Sequence, residues 1–137
     1  DEDIVAYNVP IEKNPKPFIL MDNGWYGLEE ENGRKFSWIK NGKGVIKIIS
    51  PDERKADISF GIDLFHKGWS LDLLLNDRLI ERVFVERRLN MTQTLELKKG
   101  INELEFKIDE KCIRPIDMNV NDDARCLNIA VENIRMA

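Results

Sequence analysis

Histidine is almost missing from this sequence, which holds His66 and no other. A metal or catalytic centre built from several histidines is therefore excluded within the chain. Cysteine is scarce too. Cys112 and Cys126 are the only two, too few for a four-cysteine zinc site or a disulfide-dense scaffold. Whether they pair depends on the geometry of their Cα atoms, which their positions in sequence leave open. There is no excess of positive charge: 21 basic side chains face 25 acidic ones, for a net charge of −4. Binding to a nucleic-acid backbone wants a basic domain or a clustered basic face. Here Arg87-Arg88 and Lys98-Lys99 sit beside Glu86 and Glu96 and read as solvated surface. No apolar run is long enough to span a bilayer. No basic-then-apolar leader opens the sequence, which begins Asp1-Glu2-Asp3 without a Met and so reads as a domain cut from a longer protein. The Gly-x-Ser-x-Gly elbow that exposes a catalytic serine is absent around Ser37, Ser59 and Ser70.

What is present fits one domain. The chain has 137 residues, 42% of them hydrophobic and 34% charged. That is enough apolar material for a core and too much for a disordered segment. The dominant pattern has period two. Ile58, Phe60, Ile62 and Leu64 alternate with Ser59, Gly61 and Asp63, and the same rhythm runs through Leu71 to Leu75, Leu104 to Ile108 and Leu127 to Val131. Such alternation describes strands with one face in a core and the other toward water. Asn76-Asp77, Lys99-Gly100, Asn41-Gly42 and Ser50-Pro51-Asp52 punctuate the runs as turns. Strands are predicted near 17–22, 35–40, 44–50, 56–65, 69–76, 78–85, 92–98, 101–108 and 126–136. The apolar phase of the last one changes after Val131, which predicts a β-bulge at Glu132 or Asn133. The fold class expected is all-β, an antiparallel β-sandwich of jelly-roll or galactose-binding-like type.

Three stretches carry a resemblance. The first is Asp22-Asn23-Gly24-Trp25-Tyr26-Gly27-Leu28-Glu29 with Phe36-Ser37-Trp38, the second Leu97 to Leu104, and the third Asp122-Asp123-Ala124-Arg125-Cys126-Leu127-Asn128 with the apolar strand after it. Their order resembles the jelly-roll-like accessory modules attached to bacterial and archaeal glycosyltransferases and other cell-envelope polysaccharide proteins. It covers about residues 20–136. Ser37 stands where that family shows Arg, and Asn128 where it shows Gly. The resemblance implies a non-catalytic module and names no ligand. It also brings the acid after Gly-Trp together with the late Asp-x-Arg motif. Arg125 is thus expected to clamp Glu29 and Asp123 in a structural network, as a planar guanidinium does with carboxylates.

The aromatic residues point toward a ligand. Sugars present apolar C–H faces, and indole and phenol rings offer flat apolar faces with a polar tip. Trp69, which follows Gly68 at an expected loop end, reads as the exposed platform, with Trp25, Tyr26 and the loop residue His66 as further contacts. Trp38, alternating with Phe36, reads as core, and Trp25 reads as core or ring contact. Asn119 to Asp123 is rich in oxygen donors but lacks the pattern of a calcium loop, so a structural calcium is the lesser reading and a turn the better one. No cofactor is expected. Acids such as Glu96, Glu103 and Glu105 fall at solvent-facing positions and single out no glycosidase pair.

The reading is a non-catalytic accessory module in glycan or cell-envelope biology, with an oligosaccharide as the favoured partner. The alternative is a scaffold that binds no sugar and positions a linked glycosyltransferase or membrane domain. The compartment stays open between the cytoplasm and an association with the cell envelope.

Overall fold

A computed structural model of the chain describes residues 15–136. The described residues form ten strands and one short 3-10 helix. The strands are β1 (Phe18–Met21), β2 (Glu29–Glu31), β3 (Arg34–Trp38), β4 (Lys43–Ser50), β5 (Arg54–Leu64), β6 (Trp69–Leu75), β7 (Arg78–Val85), β8 (Leu89–Leu97), β9 (Gly100–Lys107) and β10 (Ile129–Met136), and the 3-10 turn covers Pro115–Met118. Two five-stranded antiparallel sheets pack face to face. One has the order β1-β4-β9-β6-β7 and the other β2-β3-β10-β5-β8. This is the jelly-roll β-sandwich that the alternation implied.

The turns follow residue chemistry. Asn76 and Asp77, between β6 and β7, both take positive φ (50° and 67°), the conformation a two-residue hairpin of matching twist requires. The predicted strand at 78–85 is β7, and β8 begins at Leu89, earlier than the predicted start near 92. β2 is a strand that the alternation missed, because three consecutive glutamates carry no apolar period.

The core lies between the sheets. Phe60, Ile62, Leu73, Leu104, Phe106 and Ile129 are all buried there, and the edge of the Phe60 ring meets Phe106 with centroids 5.1 Å apart. Inward-facing Asn102 is fully buried and satisfied: its amide nitrogen donates to the carbonyls of Lys98, Gly100 and Ile48, and its oxygen accepts from Lys98 N and Asn76 Nδ2. Glu96 and Glu103 face solvent, and Glu105 is half-buried beside Lys43 at 3.4 Å.

Two strands depart from simple alternation. β10 is buried on both faces, since Ala130 and Glu132 are as hidden as Ile129 and Val131. It lies in the middle of its sheet, flanked by β3 and β5, and side chains from neighbouring elements fold over its outer face. In β3 the phase is opposite to that expected. Ser37 pairs with core-facing Val131 and is buried, while Phe36 and Trp38 pair with Glu132 and Ala130 on the outward face. Trp38 is half-buried there, not a core residue.

The cysteines, left open by the sequence, form a disulfide. It closes a segment whose only regular features are the 3-10 turn and a single bridge, Ile113 to Leu127. No helix among the described residues is long and apolar enough to cross a membrane.

Candidate functional site

The residues singled out by the sequence have separate fates. Trp69 is 0% exposed and belongs to the core. It opens β6 with the inward parity of Leu71 and Leu73, its Nε1 donates to Phe65 O at 2.9 Å, and Lys67 Nζ lies 3.9 Å from the ring centroid. Lys67 is held there by Glu110 at 2.7 Å, and its donation keeps the Glu110 carboxyl below the usual carboxylate range. Trp69 therefore offers no platform. An indole this large gains more from burial than a loop end can offer it.

Trp25 is half-buried against the core. Its Nε1 donates to Val45 O at 2.8 Å, and its ring meets Phe106 edge-on at 5.7 Å. The ring lies so close over Gly44 that a Cβ there would come within 2.7 Å of it. Tyr26 has Lys40 and Arg125 over its ring, and its hydroxyl accepts from Cys126 N at 3.3 Å. Both rings are thus engaged by the protein itself.

Arg125 binds both acids. Its Nη1 donates to Glu29 Oε2 at 2.5 Å, while Nη2 and Nε donate to Asp123 at 2.7 and 3.0 Å. The donation to Asp123, and then to Glu29, raises the guanidinium above its ordinary value, and the same bonds hold the Asp123 carboxyl below its own. The network fastens the segment before β10 to the start of β2. It also occupies the oxygen-rich stretch before β10. Both Asp123 oxygens are taken by Arg125, and Asn121 Oδ1 accepts from Asp123 N. These two side chains are therefore committed to protein donors, whereas calcium takes six to eight oxygen ligands. No group of three or more acidic, histidine or cysteine side chains converges for a metal among the described residues.

The face that gathers ligand-binding chemistry is the outward side of the sheet β2-β3-β10-β5-β8. Register places Phe36 and Trp38 of β3 on this side, along with Ala130 and Glu132 of β10, Asp63 and Gly61 of β5, and Asn90 of β8. The rings of Phe36, Trp38 and Phe65 form an edge-to-face row with centroid spacings of 6.4 and 6.5 Å, which continues to His66 at 6.1 Å from Phe65. His66 is exposed and held at φ 70° by a tight turn in which Lys67 N donates to Phe65 O. A bulky residue at positive φ in so short a turn is strained.

Beside the rings lies a charged cluster. Glu132 is 3% exposed and accepts from Arg88 at 2.6 Å and from Arg34 at 3.3 Å, while Asp63 lies 3.9 Å from Arg34. Gly61 makes this possible, because a Cβ there would meet Glu132 Cγ at 2.8 Å and Asn90 Oδ1 at 3.1 Å. Arg88, which the sequence placed on a plain solvated surface, is here the partner of a buried carboxylate. The face thus sets fixed guanidinium donors, the partly exposed Asp63 acceptor and the Asn90 amide next to a row of aromatic rings. Sequence reasoning missed it because the phase of β3 was inverted. The available signal was Arg34-x-Phe36-x-Trp38, an arginine sharing its parity with two rings.

No family model matches the sequence, and no curated protein does. Among solved structures the fold is similar to carbohydrate-binding modules. A family 35 carbohydrate binding module from an environmental isolate superposes with a TM-score of 0.56 at 11% identity, over 88% of this chain and 92% of the other. A family 35 module from Clostridium thermocellum gives 0.53 at 11% identity, over 87% and 91%. A module of family 36 in complex with calcium and xylotriose gives 0.51 at 11% identity, over 90% and 100%. At such identities the likeness establishes the jelly-roll sandwich, and the ligand must be argued from the site.

Proposed function

We propose that this domain is a non-catalytic carbohydrate-binding module whose binding face is the outward side of the sheet β2-β3-β10-β5-β8. The observation that carries this reading is the aromatic row Phe36, Trp38 and Phe65 lying beside the fixed polar cluster of Arg34, Arg88, Glu132, Asp63 and Asn90. A sugar ring needs both halves of that arrangement. Its C–H face packs on an aromatic ring, and each hydroxyl donates one hydrogen bond and accepts others, so donors and acceptors must alternate nearby. The solved carbohydrate-binding modules with the same fold support the reading. The two acids next to the rings, Asp63 and Glu132, both lie against Arg34, and Glu132 is hidden beneath a second arginine. Hydrolysis of a glycosidic bond would call for a carboxyl with a raised pKa opposite a second carboxylate, so binding is the better reading.

The ligand class is an oligosaccharide, with Trp38 and Phe65 as ring contacts and His66 at the end of the row. Trp25 and Tyr26 belong to the scaffold beneath. Attachment to a glycosyltransferase or another cell-envelope protein is the context that the end motifs suggest, and the domain order of the full-length protein tests it. A screen against a glycan array followed by calorimetry tests the binding itself. Trp38→Ala is expected to weaken the best ligand about tenfold, given roughly 1 kcal/mol for ring stacking plus the lost apolar contact. Thermal denaturation checks that the variant is folded. A folded variant with unchanged affinity, or a domain that binds no glycan, defeats the reading.

A further inference from the structure

We propose that the polar end of the same face is a subsite for an acidic substituent, so that the preferred ligand is an oligosaccharide bearing a carboxylate or sulfate group. The inference rests on the reading of this face as sugar-binding and adds the ligand's charge. It begins at the bulge in β10. Glu132 pairs with Gly61 and Arg135 with Ser59, so β10 spends one residue more than β5 between those pairs, and Asn133 takes φ 51°. Without the extra residue Arg135 would point into the sandwich. With it, Arg135 shares the outward face with Glu132 and Ser59, while Met136 pairs with core-facing Ile58. Bulges that re-aim a side chain are common beside functional sites.

Arg135 lines a cavity of about 290 Å³ with Ser59, Gly61, Asn90, Thr92 and Asn133. It is the one ionisable side chain of that lining. Its other polar side chains are hydroxyls and amides, with Ser59 and Thr92 in mutual contact at 3.1 Å, and Phe60, Gly61 and Met91 complete the lining. The acids on either side are engaged elsewhere. Glu132 accepts from Arg34 and Arg88, and Asp57, the next outward residue of β5, accepts from Thr94 Oγ1 at 2.7 Å. Among the described residues no carboxylate lies within ion-pair distance of Arg135, whose Nη1 donates to the carbonyl of Asn133 at 3.4 Å. An exposed guanidinium at the wall of a pocket of neutral donors and acceptors matches a planar carboxylate or a sulfate, to which it can donate two parallel bonds.

The test is calorimetry with ligand pairs that differ only in charge. Oligogalacturonate and its fully methyl-esterified form make one pair, and a sulfated oligosaccharide with its desulfated parent makes the second. At low salt the acidic member of at least one pair is expected to bind about tenfold more tightly. The pair that shows the gain tells carboxylate from sulfate. The preference should shrink in high salt, and Arg135→Gln should bring the acidic ligand down to the affinity of the neutral one. Equal affinities within both pairs, or a preference that survives in R135Q, overturns the charge reading while leaving sugar binding in place. Absence of binding by every member overturns both.

Discussion

Glu132 sits on the outward face of a sheet, where a carboxylate would ordinarily be wet, and is nevertheless buried beneath two arginines. A buried charge persists only when paired and hydrogen-bonded, and here the pairing also fixes Arg34 and Arg88 in place. Arg125 shows the same economy at the other end of the face. It reaches Glu29 and Asp123, and its side chain keeps about a third of its surface exposed. Solvent therefore weakens the network, and Arg125→Met is expected to cost about 1–2 kcal/mol in chemical denaturation, below the cost of about 3–5 kcal/mol for breaking a fully buried ion pair. The pH dependence has a definite sign. Asp123 is held below its ordinary value when folded, chiefly by the Arg125 hydrogen bond. Its contribution is thus complete above the ordinary carboxylate range near pH 4 and fades as pH falls through the lowered folded value. The difference in stability between wild type and R125M should accordingly narrow on acidification. A gap that widens in acid would contradict the assignment.

At the scale of elements, the weakest part by secondary structure is the stretch between β9 and β10. Its order rests on the Cys112–Cys126 disulfide, the Ile113–Leu127 bridge and the Arg125 network. The cysteines are 14 residues apart, and closing a loop of about this length is worth about 3 kcal/mol in the chain-entropy account. Urea denaturation with and without reductant should show a loss of that order, and the Cys112→Ser, Cys126→Ser double variant should match the reduced protein. Equal midpoints would show that the other contacts hold the segment alone. The strands themselves were legible in the sequence wherever an apolar residue recurred at every second position, as in β5, β6 and β9. The bulge in β10 was legible as the phase change after Val131. The phase of β3 was not, because Phe36 and Trp38 alternate like a core strand while the residue that faces the core is Ser37. Large rings on an outward face look the same in sequence as rings in a core. Trp69 failed in the opposite direction: a glycine before a tryptophan suggested a loop platform, but the ring begins a strand and turns inward. The Arg88–Glu132 pairing joins residues 44 apart, and no local pattern records it.

At the scale of the molecule, the two sheets divide the labour. The sandwich interior holds the apolar side chains, and one outer face collects rings, guanidinium groups, a buried carboxylate and a bulge within a few strands. The outward side of the opposite sheet carries exposed apolar side chains such as Phe18, Leu20 and Ile101 beside the ion pairs Arg82–Asp72 and Lys43–Glu105. The central claim is one of location: oligosaccharide binds across β3, β10, β5 and β8, not at the Trp25 and Trp69 positions. Amide chemical-shift mapping by NMR during titration with the best glycan from the array reads that location directly. The account predicts perturbations concentrated at residues 34–38, 59–66, 88–92 and 130–135. Perturbations confined to the loops around Trp25 and Trp69, or to the outer face of β1 and β9, would contradict it.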